Sequence, residues 1–404
     1  MEDSIESNKI LHLTSRIGKV KQSDIFMFLI GIYFFMYTFT HGTNVYQMTG
    51  LSSLICPAWK LMWLCIRVLI LLKVIKQYKK GDEKIIALLI FSYILGFKAD
   101  GAWFSDTIWL VCSLRYVNYK ALLKRVFIAL FMSFVCVVGL CYIGKITDDL
   151  FFRSGEIIRH SYGYMHPNTF AIRVFELCAL YSCIKNEGLR YYHSLIFLVI
   201  MVYVKKVTDS TTAVISLRIL ALTIIFVTYA NNHKNRKNSL FRRFIRFCID
   251  KLKYVIFVMP MLAIFVVIFS STFQKVVKGT LLSRVIQARY YFYTYGINLF
   301  GNKLEINGPS ESWSAVYGLY TLDNGYMYLL LGYGIIAFII FIYYQVKMFR
   351  LFAKEKNYIT LAVMAIYAVY GFMEVVFIRV DMNFTLLFMG MILWNVKKKK
   401  ADAS

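Results

Sequence analysis

The stretch "RHSYGYMHPNTFAIRVFELCALY", residues 159–181, places Arg159, His160 and His166 ahead of Pro167, with Arg173 and Glu176 behind it. Proline suits the first turn of a helix, where its missing N–H costs nothing. A helix starting there presents free N–H groups and a partial positive charge, which attract anions. Arg173 would lie roughly 8 Å deeper along that helix, counted from Asn168 at about 1.5 Å per residue. Glu176, three residues on, shares its face. The set reads as a cationic pocket with one carboxylate at its base. A plainer reading pairs Arg173 with Glu176 as a buried tie.

Two further stretches carry groups of the same kind. In "GTLLSRVIQARYYFYTYGINLFGNKL", Arg284 and Arg289 stand five apart with tyrosines packed behind them. The planar guanidinium fork gives bidentate, charge-assisted bonds that suit a diphosphate. Anchoring at a membrane interface uses the same residue types. In "LYTLDNGYMYLLLGYGIIAFIIF", Asp323 and Asn324 directly precede an apolar run. They are ordinary helix caps, or, for Asp323, a carboxylate able to accept a proton. Glu311, His160 and His166 are the other candidate bases. Glu374, Arg379 and Asp381, in "YGFMEVVFIRVDMNF", read as groups that pair with one another.

The elements that must hold these groups are helices in an apolar medium. Of the 404 residues 59% are hydrophobic and 17% charged, against roughly 45–50% apolar and about 25% charged in ordinary globular chains. The apolar residues come in blocks such as "IFMFLIGIYFFMYTF" and "YVIFVMPMLAIFVVIF", near the roughly 20 residues that cross a bilayer as a helix. The expected fold is therefore an all-α polytopic membrane protein, a single integral membrane domain over 1–404. Twelve transmembrane helices are expected near 24–40, 52–72, 84–97, 102–114, 126–144, 168–184, 191–204, 211–229, 254–271, 326–345, 358–377 and 382–396.

Charge orients them. With both termini inside, the inner segments hold 31 Lys and Arg, the outer segments 12, and four (Lys60, Arg67, Arg173 and Arg218) lie within spans; such a bias marks the cytoplasmic side. The net charge of +25 is explained this way without nucleic acid. No cleavable leader is expected from the polar first 23 residues, so the first span would serve for targeting. The eight cysteines form no C-x-x-C pair, and no disulfide framework or zinc site is expected. No P-loop, G-x-G-x-x-G, H-E-x-x-H or G-x-S-x-G motif occurs, and "TDD" at 147–149 is a poor metal site alone. Any chemistry is expected on the outer face, in the segments 145–167 and 272–325. The longer one is expected to carry short helices, since connections of this length are usually functional or disordered.

Two ordered stretches, "YGYMHPNTFAIRVFELCALY" with "VTDSTTAVISL", and "LLSRVIQARYYFYTYGINLFG" with "LDNGYMYLLLGYGIIAFIIF", resemble Wzy-type polysaccharide repeat-unit polymerases of the O-antigen polymerase and ligase superfamily. The likeness runs from about 150 to 345, and the expected topology matches throughout. It implies a GT-C-like glycosyltransferase of the bacterial inner membrane. Such an enzyme works at the outer leaflet on undecaprenyl-diphosphate-linked oligosaccharide, moving the growing glycan to a new lipid-linked unit and releasing undecaprenyl diphosphate. It would need no cofactor or metal and would work beside a chain-length regulator and a flippase. On this reading Arg159, Arg173, Arg284 and Arg289 hold the diphosphate, and Asp323, His166 or His160 serves the acceptor hydroxyl. The chain departs from the family where Thr211 follows Ser210 in place of an arginine, and where Arg284 precedes Gly296 by one residue more than the usual Arg-x10-Gly spacing. A flippase for the same lipid-linked sugars, or a ligase of the same superfamily, are the alternatives.

Overall fold

A computed structural model describes residues 22–79, 82–98, 103–115, 117–153, 157–232, 243–244, 247–248, 251–269, 280–305 and 321–394. Glu311, the "GPSESW" run and the lysine tail lie outside the described residues, as does the Arg153 side chain.

Fourteen α-helices stand among the described residues. They are α1 (Gln22–Thr40), α2 (Thr49–Gln77), α3 (Glu83–Lys98), α4 (Trp103–Ser113), α5 (Tyr119–Tyr142), α6 (Pro167–Lys185), α7 (Tyr191–Thr208), α8 (Thr211–Asn232), α9 (Val255–Ile268), α10 (Thr280–Tyr295), α11 (Gly325–Gly332), α12 (Gly334–Lys354), α13 (Tyr358–Met373) and α14 (Met389–Leu393). A two-stranded antiparallel hairpin, β1 (Leu150–Arg153) and β2 (Ile157–His160), precedes α6. Five helices, within α2, α5, α7, α8 and α12, are long and apolar enough to cross a membrane; apolar stretches in or around α1, α9, α13 and α14 are shorter. Large apolar side chains such as Leu61, Ile75, Ile128 and Val199 point outward from these helices. Exposed apolar side chains on so many helices are compatible with a membrane environment. The chain is an all-α protein built of apolar helices compatible with a multi-pass membrane protein.

The centre of the bundle is α6. Residues on every side of it are buried, from Phe170, Ile172 and Phe175 to Ala179 and Cys183, and it packs against α5, α7, α8 and α13. A helix apolar all round belongs inside, and this one carries Arg173 and Glu176 inside with it, Lys185 being exposed at its end.

Two expected spans are not continuous helices. The run at 326–345 divides at Tyr333 into α11 and α12, because Gly334 takes a φ of +88°. The segment after α10 is threaded against the break. Ile335 N–H donates to the Asn298 carbonyl (3.0 Å), Ile336 N–H to that of Leu299 (3.3 Å), and Asn302 N–H to that of Leu331 (2.9 Å). The interruption therefore leaves few orphan backbone groups, which apolar surroundings demand. All eight residues of α11 are buried, so it lies within protein. The second difference is at 374–388. There the backbone turns extended at Glu374, forms a short 3-10 helix over Val375–Ile378, turns again, and forms another over Phe384–Phe388 before α14. "MEVVFIRVDMNF" is too polar and β-branched to keep a regular helix, and Asn383 ties the turn by donating to the Phe377 carbonyl (2.8 Å).

Candidate functional site

Four segments meet at one end of the bundle: the N-terminus of α6, the first turns of α10, the loop before α11, and the irregular stretch after α13. All but α10 border a cavity of about 240 Å³, lined by Trp103, Asn168, Asp323, Tyr328, Glu374 and Arg379, among others. Asn168, Thr321, Asp323 and Glu374 of its wall belong to one network with Arg159 and Arg284. Arg159 Nε donates to the Thr208 carbonyl (2.6 Å) and Nη2 to Asn168 Oδ1 (2.8 Å). Asn168 Nδ2 donates to Glu374 Oε1 (3.4 Å). The Arg284 guanidinium reaches the same Glu374 oxygen (3.5 Å) and pairs more closely with Asp323. Thr321 donates its hydroxyl to Asp323 (3.2 Å). The Arg284, Asp323 and Glu374 side chains are each about one-fifth exposed, enough for a ligand to reach them.

Local sequence explains each position. His166 caps α6, its Nδ1 accepting from Asn168 N–H (3.1 Å), and Pro167 fills the first helical turn. Asn324 caps α11, its side-chain oxygen accepting from the N–H groups of Tyr326 and Met327. The capping and chemical readings of "LDNG" thus divide between neighbours: Asn324 caps, and Asp323 faces Arg284. Glu374 ends α13 with extended backbone, which carries its carboxylate out of the helix and into the cavity.

A second charged cluster lies beneath. Arg173, 3% exposed, donates to Glu176 (2.9 Å), to Asp381 Oδ2 (3.0 Å) and to the Asp381 carbonyl. Arg379 also pairs with Asp381 (3.0 Å) and lies 4.7 Å over the Trp103 ring. Two arginines and two carboxylates balance one another, as a buried group of charges must. Only Arg379 belongs both to this quartet and to the cavity wall.

The sequence-derived site residues therefore separate. Asp323 borders the cavity with Arg284 paired to it from behind, and Arg159 supports the wall through Asn168. Arg173 does not reach it. The sequence pattern explains this buried arginine by a lipid-linked anion, whereas in the fold Glu176 and Asp381 neutralise it, so we remove it from the binding set. Arg289 faces elsewhere. Five residues of helix turn it about 140° from Arg284, and its guanidinium lies 5.6 Å over the Tyr293 ring.

His160 also leaves the set, because adjacent strand residues point to opposite faces. Arg159 faces α6, while His160 Nδ1 pairs with Asp148 (2.6 Å) and its ring stacks on Tyr162. Asp148 in turn accepts from the N–H groups of Ser161 (2.8 Å) and Tyr162 (2.7 Å). Burial, then the charges of Arg159 and Arg284, push the His166 imidazole from the usual 6.5 down to about 4. It is neutral at pH 7, and with Nδ1 accepting from Asn168 its remaining nitrogen, Nε2, carries the proton. Its basic nitrogen, Nδ1, is thus engaged in the helix cap, and Nε2 is left as a donor. The expected crowd of cations at this mouth is therefore tempered by a neutral His166 and by partners for His160 and Arg159.

Glu374 and Arg379 enter the site only with the fold. Their sequence signal is the polar run interrupting an apolar one, which by itself reads equally well as local pairing. Among the described residues no three His, Cys, Asp or Glu side chains converge as a metal-ligand set. Comparison with family models, with curated proteins and with solved structures gives no match.

Proposed function

We propose that this chain is a glycosyltransferase of the bacterial cell membrane that polymerises oligosaccharide repeat units carried on undecaprenyl diphosphate. Its topology would be twelve spans with both termini inside, α11–α12 and 374–388 being interrupted ones. The sequence resemblance motivates the reading, and one observation carries its chemistry: Arg284 is shared between two carboxylates, Asp323 and Glu374, at an accessible cavity beside a helix N-terminus. At rest the arginine is neutralised. A diphosphate arriving at Arg284 competes with the carboxylates and releases one of them, so donor binding exposes the base.

The freed carboxylate, Asp323 in our assignment, accepts the proton of the acceptor sugar hydroxyl as that oxygen bonds to the anomeric carbon. The bond from the anomeric carbon to phosphate oxygen breaks, its electron pair passing to the diphosphate. The leaving diphosphate is met by Arg284, with Arg379 and the α6 N-terminus on the adjoining walls. Losing a charge-stabilising donor of this kind typically lowers a rate roughly 100- to 1,000-fold. A chain-length regulator and a flippase are the partners this activity calls for.

The test is incorporation of purified lipid-linked repeat units into polymer by protein in proteoliposomes. A product ladder from the wild type, lost in Asp323→Asn and Arg284→Gln proteins of unchanged melting temperature, supports the assignment. Transport is the second reading, favoured by the glycine break at Gly334, since transporters often place sites at broken helices. Lipid-linked sugar crossing the bilayer with no ladder would replace the polymerase with a flippase.

A further inference from the structure

At the opposite end of α13 from Glu374 lies a second cavity, of about 380 Å³, bordered by Lys253, Tyr254, Phe257, Val346, Arg350, Ala353 and Lys354. The 16 residues of α13 separate the two by about 24 Å, close to the hydrocarbon thickness of a bilayer. Three cationic side chains rim the cavity and three apolar ones line it. Lys253 approaches the Tyr254 ring at 5.4 Å, and Lys251 approaches its centroid at 5.4 Å as well.

Exposed apolar residues lead away from this cavity on both helices, and on α12 Lys347 lies among them, 5.4 Å from the Tyr343 ring centroid. On α12, Ile339, Tyr343, Val346 and Arg350 follow at helical spacing on one face; Ile339 and Tyr343 are exposed. On α9, Phe257 or Val258, Met261 and Phe265 do the same, all exposed. The two helices pack together, and since α9 begins and α12 ends at the cavity they run antiparallel. Both stripes therefore leave the same cationic mouth and run toward the middle of the bundle's height. A charged head pocket continuous with an apolar track matches a phosphate headgroup with its acyl chains attached; a free phosphate would use only the head pocket.

We propose that this cavity binds the headgroup of an anionic phospholipid, with its acyl chains along the α9–α12 stripes. Basic pockets between membrane helices on the cytoplasmic side recognise such headgroups, and the leaflet assigned here rests on the inside orientation of the lysine-rich loops proposed above.

The experiment is native mass spectrometry of the full chain in detergent, titrated separately with dioleoyl phosphatidylglycerol, dioleoyl phosphatidylcholine and inorganic phosphate. Phosphatidylglycerol should bind at least about tenfold tighter than phosphatidylcholine, and millimolar phosphate should not displace it. Arg350→Gln with Lys354→Gln should weaken phosphatidylglycerol about 30-fold, about fivefold per charge, and leave phosphatidylcholine unchanged. Val346→Trp, which fills the groove and keeps every charge, should also weaken phosphatidylglycerol and serves if the double variant does not fold. Equal binding of the two lipids, or displacement by phosphate alone, overturns the lipid assignment. So does unchanged phosphatidylglycerol affinity in folded protein carrying either change.

Discussion

At the scale of single residues, similar charges have different tasks according to what neutralises them. Arg173 and Arg284 are both arginines paired with two carboxylates, yet Arg173 is enclosed with Glu176 and Asp381 while Arg284 is one-fifth exposed and its partners Asp323 and Glu374 border a cavity. Removing a partner from a buried ion group leaves uncompensated charge, worth roughly 3–5 kcal/mol. Arg173→Ala should therefore lower the melting temperature sharply and with it the yield of folded protein, whatever the assay. Asp323→Asn should keep the melting temperature within a degree or two, and the transfer rate, measured by polymer formation, should fall about 100- to 10,000-fold. Equal thermal losses in both variants would remove the distinction drawn between the clusters. His166 adds a pH signature. Its folded pKa, about 4, lies below the usual 6.5, so the stability it contributes is present above pH 6.5 and lost as pH falls toward 4. His166→Asn keeps a capping side chain without titrating there. Melting curves of this variant between pH 7 and 4 should fall less steeply than those of the wild type.

The elements hold these residues through backbone geometry that only certain sequences permit. The α11–α12 break depends on Gly334 and Gly301 lying against each other's segments. A Cβ at Gly334 would come within 2.4 Å of Gly301 N and of the Leu299 carbonyl oxygen, at a φ that side chains resist. Gly334→Ala should lower the melting temperature by many degrees and detach the 298–302 segment, which hydrogen exchange at Ile335 and Ile336 would register. Gly31→Ala, where no atom lies within 4 Å of the added carbon, should be close to neutral. Local signals of this kind were legible in the sequence where they act on near neighbours. The His-Pro start of α6 and the Asp-Asn start of α11 announce themselves through capping chemistry. The Gly-Tyr-Gly break did not, because an unbroken apolar run surrounds it. Glu374 was illegible for a different reason. Its partner Arg284 is 90 residues away in sequence, and no local pattern encodes a meeting set by helix packing. Alternation along β2, a rule of period two, was available and separates Arg159 from His160 once a strand is assigned there.

For the whole molecule, charge asymmetry and helix packing make a joint statement about which end faces which side. The cavity holding Asp323 and Glu374 and the cavity holding Arg350 and Lys354 lie at opposite ends of α13. Lysine-rich loops follow the second end, and positive residues stay on the cytoplasmic side during insertion. On the orientation proposed above, the first cavity opens outward, where the proposed lipid-linked donor would be found. Two thiols read this orientation directly. Cys248 is exposed in the basic segment between α8 and α9, and Lys145 is exposed between α5 and β1. A membrane-impermeant maleimide applied to right-side-out vesicles should label Lys145→Cys protein and leave Cys248 unmodified. Inside-out vesicles should reverse the pattern, with Cys248→Ser protein as the blank for the native thiol. The converse labelling would turn the Asp323 cavity toward the cytoplasm. It would then face away from any outer-leaflet donor, and polymerisation there would be untenable even with every residue of the cavity correctly placed.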